Sequence, residues 1–177
     1  MNAYISTLKT TIMRFIDAFL QEFEQEMSST RKLLQVIPFD NPDWKPHEKS
    51  FSLSALASHV AEIPGWVAVT LTTDELDFAA GNYKPFKPSS TEELLSFFDK
   101  QVDGARAALQ QASDETLSKT WTLRSGDQTF FTQPKPAVLR SFCMNHLIHH
   151  RAQLTVYLRL LNVRFPGMYG PTADDPM

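Results

Sequence analysis

The chain has 177 residues, of which 42% are hydrophobic and 21% are charged, with a formal net charge of -3. These values predict one soluble globular domain that spans residues 1–177 and is large enough to bury a sizeable core. There is no basic excess for a phosphate backbone and no apolar run of about 18 residues, so we expect neither nucleic acid nor a membrane as a partner. The single cysteine, Cys143, excludes an internal disulfide, and the first residues lack a signal-peptide pattern. We therefore expect a cytoplasmic protein.

The first half of the chain contains two segments with the apolar spacing of amphipathic helices. Residues 2–37 contain neither glycine nor proline and predict the first helix. A loop with three prolines follows over residues 38–50. The second helix begins near Ser52. Its apolar pattern continues beyond Pro64, so we expect a helix that is kinked at this proline and continues to about Phe78.

The second half contains two further helical segments, separated by residues of a different character. A capping sequence at Ser90 opens the third helix, which ends near Ala112. Within residues 114–136, two β-prone runs predict a short hairpin or an extended insertion. The fourth helix begins at Pro136 and ends at about Asn162.

Four helices joined by short to medium loops predict an all-α fold, an antiparallel four-helix bundle. The hairpin or extended insertion lies between the third and fourth helices. Residues 164–177 are rich in proline and glycine and predict an irregular tail.

Three of the five histidines lie within five residues of the fourth helix, at His146, His149 and His150. His146 and His150 are four residues apart and share one helix face. At about 100° per residue, both lie in the middle of the apolar stripe and His149 lies at its edge. A single inward histidine is usually a hydrogen-bonded core residue. Two histidines on the same helix face are costly to bury without hydrogen-bond partners, and a shared metal ion would supply a partner to both.

The third metal ligand has two candidates, His47 in the proline-rich loop and His59 on the inward side of the second helix. Three histidines from two helices would leave coordination positions for water or substrate, as in a catalytic zinc-type site. Glu62, one turn beyond His59, has three interpretations: a fourth ligand, an acceptor for a ring N–H, or a surface carboxylate. We favour the surface carboxylate.

Other residues near the histidines have weaker functional interpretations. Cys143 is either a thiol nucleophile or, as we favour, a small apolar core residue. Gln153 either orients a ligand or bound water, or makes a structural hydrogen bond. Arg151 is expected to face outward and to pair with an acid or a tail carbonyl. Trp66 and Tyr157 share the histidine face and are expected to pack there or to line a pocket.

Residues 145–154 have the sequence NHLIHHRAQL. This segment resembles the N-H-x-x-H-H-R-x-Q-L pattern of the DinB-like (DinB/YfiT) superfamily. Residues 58–61 and 64–66, preceded by residues 44–50, are similar to its second-helix histidine segment. Residues 168–174 are similar to a Y-G-P-S-A-D ending common in one branch, with Thr172 in place of the usual serine. The resemblance spans most of the chain.

The resemblance implies a four-helix bundle that holds a divalent metal ion, often nickel or zinc, on His59, His146 and His150. Manganese and iron are alternatives. Some members of the superfamily form dimers, and some transfer low-molecular-weight thiols such as bacillithiol, mycothiol or glutathione. Others have no established activity. We accordingly expect a small-molecule substrate, with a low-molecular-weight thiol among the candidates. A homodimer is also among the expectations, with the outward residues Leu147, Ile148 and Leu158 either at its interface or packed under the hairpin or tail.

Three functional hypotheses follow. The first, which we favour, is a metal-dependent thiol S-transferase or hydrolase, in which a bound cation lowers the pKa of a thiol or water. The second is a non-catalytic metal-containing bundle that binds a small ligand or mediates stress-related contacts. The third is a domain without metal, in which the histidines are structural. The sequence identifies neither the catalytic residues nor the substrate.

Overall fold

The structure is a computed structural model that describes residues 14–81 and 84–176. Residues 2–13 of the first predicted helix lie outside this description. The elements follow one another in this order: α1 (Phe15–Leu34), α2 (Leu53–Thr72), β1 (Glu75–Asp77), a 3-10 turn (Phe78–Ala80), α3 (Thr91–Gln111), α4 (Asp114–Leu117), β2 (Thr120–Ser125), β3 (Gln128–Pro134), α5 (Lys135–Val138), a π-helical stretch (Leu139–Asn145) and α6 (His146–Leu160). The fold is mostly helical and carries one small sheet.

The helix starts agree with the capping residues in the sequence. The Ser52 hydroxyl accepts a hydrogen bond from the backbone N–H of Ala55 at the start of α2, and the Ser90 hydroxyl accepts one from Glu93 at the start of α3. Each bond satisfies one of the amides that a helix start leaves unpaired. Helix α2 packs against α1, α3 and α6, and the main hydrophobic core lies between these helices.

Helix α2 continues through Pro64, as predicted, but it ends at Thr72 and not at Phe78. Thr73 adopts an extended conformation, and its hydroxyl donates to the carbonyl of Val69. The buried ammonium of Lys135 donates to the carbonyl of Thr73 at 2.6 Å. A cation at a helix C-terminus is electrostatically favourable and satisfies a carbonyl there. The helix therefore ends before residues 75–78, although the apolar pattern alone predicted that it would include them.

The three-stranded sheet has the order β1-β2-β3. Strands β2 and β3 are antiparallel and Ser125 pairs with Gln128, so Gly126 and Asp127 form the turn, with Gly126 at a φ of 57°. The hairpin lies where the two β-prone runs predicted it. Strand β1 pairs with β2 in parallel, and this third strand was not predicted.

The predicted fourth helix consists of three parts, α5, the π-helical stretch and α6. A π-helical turn takes more residues than an α-helical turn, so it rotates the faces before and after it relative to a uniform wheel. Leu147 and Leu158, predicted outward, are 1% and 0% exposed, whereas Leu160 is 56% exposed. The core stripe of α6 is therefore centred one residue beyond His146. Within the described ranges, no helix has both the length and the apolar character needed to cross a bilayer.

Candidate metal centre

Helices α2 and α6 bring three imidazoles together. His59 comes from α2, while His146 and His150 come from successive turns of α6, and one ring nitrogen from each lies within 4.8 Å of the others. His59 and His146 approach most closely, with 3.2 Å between their Nε2 atoms. His47, the other candidate for the third position, is exposed in its loop and does not belong to the cluster.

The donor set fits a divalent metal ion. Nitrogens about 2.05 Å from a tetrahedral zinc lie about 3.3 Å from one another. The distance of 3.2 Å between the Nε2 atoms of His59 and His146 is close to that separation. A hydrogen bond between two neutral imidazoles has a similar length. Three imidazoles suit zinc, nickel, iron or copper better than magnesium or calcium.

The three histidines are half-buried and lie at the edge of the α2–α6 interface. The prediction that His146 and His150 occupy the middle of the apolar stripe was wrong, because Leu147, Leu154 and Leu158 form that stripe. The edge position suits a catalytic site better than the middle, because one side of the cluster stays open to small molecules.

Gln153 holds the ring of His150. Its Oε1 lies 2.7 Å from His150 Nδ1, and its Nε2 lies 3.1 Å from Nε2 of His149. An amide oxygen only accepts hydrogen bonds, so the proton of His150 is on Nδ1 and its Nε2 is available to a metal. Of the two roles considered for Gln153, the contact supports orientation of a ligand. His149 is exposed and outside the cluster.

Burial, together with the smaller effects of the neighbouring His150, His59 and His149, lowers the pKa of His146 to about 4. A hydrogen bond to the backbone of Phe142 opposes this shift in pKa. Burial also lowers the pKa of His150, against the effect of the hydrogen bond that His150 donates to Gln153. Both rings are therefore neutral near pH 7, the form that binds a metal ion.

Glu62 lies beside His59 rather than on the open surface. Its side chain is 18% exposed, and its Oε2 is 3.8 Å from His59 Nδ1. The favoured interpretation as a surface carboxylate was therefore wrong. The position on the far side of the His59 ring from His146 matches the alternative role as a carboxylate that orients the imidazole.

An aromatic wall surrounds the histidines. The Trp66 ring stacks on Phe142 at 4.7 Å and meets His146 and His59 edge-on at 5.2 and 5.5 Å. Phe51, just before the Ser52 cap, lies 6.1 Å from His59. The sequence placed Trp66 on the site face but gave no signal for Phe51, since Phe51 precedes the helix and falls outside any helical periodicity.

Two cavities flank the cluster. His59 lines a cavity of about 1260 Å³ between α2 and α3, together with Glu62 and Trp66. His146 and His150 line a shallower depression of about 440 Å³ beside the sheet. A molecule could therefore approach the three imidazoles from either side.

Cys143 does not qualify as a nucleophile. Its thiol is 2% exposed, lies 3.7 Å from the Thr70 hydroxyl, and has its pKa raised by burial to about 12. It is therefore protonated at neutral pH. The interpretation as a core residue is confirmed.

Arg151 was predicted to face outward, and this was wrong, since it is 1% exposed. The predicted acidic partner exists, because its guanidinium lies 2.5 Å from the Glu26 carboxylate. It also donates to the Tyr169 hydroxyl at 2.6 Å, and that hydroxyl donates to Glu26. Tyr157 packs edge-on against Trp44, and its hydroxyl donates to a backbone carbonyl rather than lining either cavity.

Comparison with known proteins places the chain in a family. The model of the DinB family matches residues 8–176. Among curated relatives, the uncharacterised protein YrdA of Bacillus subtilis is 28% identical over 90% of this chain and 91% of its own length. The uncharacterised protein YjoA of the same organism is 30% identical over 79% of this chain and 86% of its own length.

Solved structures show the same likeness. A DinB-like protein from Bacillus cereus has a TM-score of 0.68 at 25% identity, covering 87% of this chain and 97% of its own. The fold of YjoA superposes with a TM-score of 0.67 at 20% identity, covering 85% and 97%. The chain therefore belongs to the DinB family.

Proposed function

We propose that His59, His146 and His150 bind one divalent metal ion and that the protein is a metal-dependent enzyme acting on a small molecule. The observation that carries this proposal is the meeting of three imidazole nitrogens within 4.8 Å, from two helices. Zinc and nickel are the first candidates for the ion, and manganese and iron are alternatives.

A bound divalent cation supplies Lewis acidity, which makes a thiol or a water molecule nucleophilic near neutral pH. The chain itself brings three imidazole nitrogens together, and the cavity beside His59 leaves space for a small molecule next to them. Gln153 accepts a hydrogen bond from His150 Nδ1, while Trp66 and Phe142 pack against the ring of His146. The Glu62 carboxylate is placed to orient the ring of His59.

We propose a thiol-dependent S-transferase in preference to a hydrolase. Sites for single small molecules typically enclose about 300–1000 Å³. The cavity beside His59, at about 1260 Å³, has room for a second molecule, as a transfer reaction requires. A non-catalytic metal-containing binding protein would use the same cluster and is separated from the enzyme by the assay below.

The remaining proposals concern the setting of the site. We propose that α1, α2, α3 and α6 form an antiparallel four-helix bundle and that the protein acts in the cytoplasm. If it forms a homodimer, the interface lies elsewhere than on Leu147 and Leu158, because both are buried in the core.

The test is an assay with a panel of low-molecular-weight thiols and an electrophilic acceptor, using metal-loaded protein. We expect turnover with at least one thiol and its loss in His146→Ala, whereas His47→Ala should retain it. Turnover that is unaffected by His146→Ala would remove the metal from the mechanism. If the protein is fully loaded with metal but turns over no thiol, ester or amide substrate, the result would favour a non-catalytic metal-containing binding protein.

A further inference from the structure

The cavity beside His59 is built from five parts of the chain, two of which are residues 42–43 and residues 76–81. Helix α2 forms one wall, helix α3 contributes Phe97 and Gln101, and residues 84–88 close a further side. Because His59 belongs both to this wall and to the histidine cluster, a molecule in the cavity would lie next to the proposed metal.

Most of the cavity wall is apolar. Phe86 and Phe97 stack at 4.1 Å, so that part of the wall is a continuous aromatic surface. Nearer the histidines, the Trp66 ring stands edge-on to His59. Such a wall favours a ligand with an aromatic or aliphatic body, since burying its apolar surface is favourable.

Ser58 marks a polar position on the same wall. The residue is 6% exposed, and its hydroxyl has no hydrogen-bond partner among the residues that the structure describes. A buried hydroxyl without a partner is destabilising, because it loses its hydrogen bonds to water. Ser58 adjoins His59 in the sequence, so a ligand with a polar group at this end of the cavity would supply the missing partner.

The described lining carries three carboxylates, Asp43, Glu62 and Asp77, and two ammonium groups, Lys84 and Lys87, both of which belong to the side formed by residues 84–88. Asp43 belongs to the loop before α2, and Glu62 lies 3.8 Å from His59 Nδ1. Lys84 and Lys87 are exposed, and neither makes an ion pair with any other described residue. Asp77, on the same wall, is instead engaged by Arg124 at 2.6 Å and by the backbone amides of Gly126 and Ala79. Two unpaired ammonium groups beside an apolar cavity would attract an anionic group on the ligand.

We propose that this cavity binds an amphipathic anion, with an aromatic or aliphatic body against Trp66 and Phe97 and a polar group at Ser58 and His59. This assignment rests on the proposed function, because such a molecule would be the substrate that meets the metal-activated nucleophile. The anionic group lies toward Lys84 and Lys87.

The test uses two fluorescent probes with similar aromatic bodies, the anion anilinonaphthalene sulfonate and the neutral phenylnaphthylamine, titrated into the metal-free full chain. Ala55→Phe adds a ring to the cavity wall, and Ala107→Phe makes the same change at an exposed site on α3 outside the cavity. We expect Ala55→Phe to weaken binding of both probes about tenfold or more, and Ala107→Phe to leave it unchanged. Equal effects of the two substitutions, or none, would overturn the assignment of the cavity.

The double variant Lys84→Ala/Lys87→Ala tests the charge. It should weaken the sulfonate probe about fivefold and leave the neutral probe unaffected, because only the anion loses an attraction. Equal weakening of both probes, or no change in either, would overturn the preference for an anion. Metal content measured on the same samples keeps the two proposals apart. If the probes bind but the protein holds no metal, only the proposal of a metal-dependent enzyme is contradicted. If the protein holds a metal but neither probe binds in the cavity, only the proposed class of ligand is contradicted.

Discussion

The Nε2 atoms of His59 and His146 lie 3.2 Å apart although the two residues are 87 positions apart in the chain. One comes from α2 and the other from α6, so an ion held by both would join two helices that pack against each other in the core. Metal binding and stability of the fold should therefore be coupled.

Thermal unfolding should reveal this coupling. An ion at 100 times its dissociation constant stabilises the folded state by about 2.7 kcal/mol, which corresponds to about 5–10 °C in Tm for a chain of this size. We expect zinc or nickel to raise the Tm of the wild type by about this amount. His146→Ala should abolish the increase and His47→Ala should retain it. An equal increase in His146→Ala would place the stabilising ion elsewhere.

Gln153 should act on metal affinity through His150. Gln153→Ala removes the acceptor from His150 Nδ1, and loss of such a partner typically lowers metal affinity about 10–100-fold. Gln153→Glu keeps an acceptor oxygen and should restore most of the affinity. Competition with a chromophoric chelator measures both. Thr155→Ala, whose hydroxyl donates to the backbone within α6, is the matched control and should bind as the wild type does. Wild-type affinity in Gln153→Ala would contradict the orienting role.

The metal-free protein should lose stability in acid partly through His146. Its pKa is lowered from 6.5 to about 4 in the folded state, so the unfolded chain binds the proton more readily. The resulting stability is present above about pH 6.5 and is lost as the pH falls toward about 4. His146→Gln removes this titration. Urea unfolding at several pH values should give a shallower pH dependence for the variant, and parallel curves would contradict the lowered pKa.

The buried pair of Glu26 and Arg151 should be sensitive to loss of one partner. Glu26→Ala leaves a buried guanidinium without its carboxylate, which typically costs about 3–5 kcal/mol of unfolding free energy. Tyr169→Phe removes one hydroxyl that bridges the pair and should cost about 1 kcal/mol. Urea denaturation measures the unfolding free energy of both variants. A larger effect for Tyr169→Phe than for Glu26→Ala would contradict the arrangement.

Local sequence signals predicted the starts of α2 and α3 well, because capping serines and apolar spacing act within a few residues. Features that depend on distant contacts were missed. The end of α2 depends on Lys135, which arrives from beyond the hairpin, and β1 exists only because β2 pairs with it. The burial of Arg151 depends on Glu26 from α1.

The histidine cluster was predictable for a different reason. His146 and His150 remain one α-helical turn apart, because both lie in α6 after the π-helical stretch. Their position relative to the core was not predictable, since that stretch shifts the faces that a uniform wheel assigns. The role of Glu62 depended on the same packing of α2, and its nearness to His59 became evident only in the fold.

Metal content of the untagged protein, after reconstitution with zinc, nickel or manganese and removal of excess ion, tests the central claim most directly. The account predicts about one equivalent in the wild type and in His47→Ala, with loss in His59→Ala, His146→Ala and His150→Ala. Less than about 0.2 equivalent in the wild type, or equal retention in all four variants, would contradict a metal site on these three histidines.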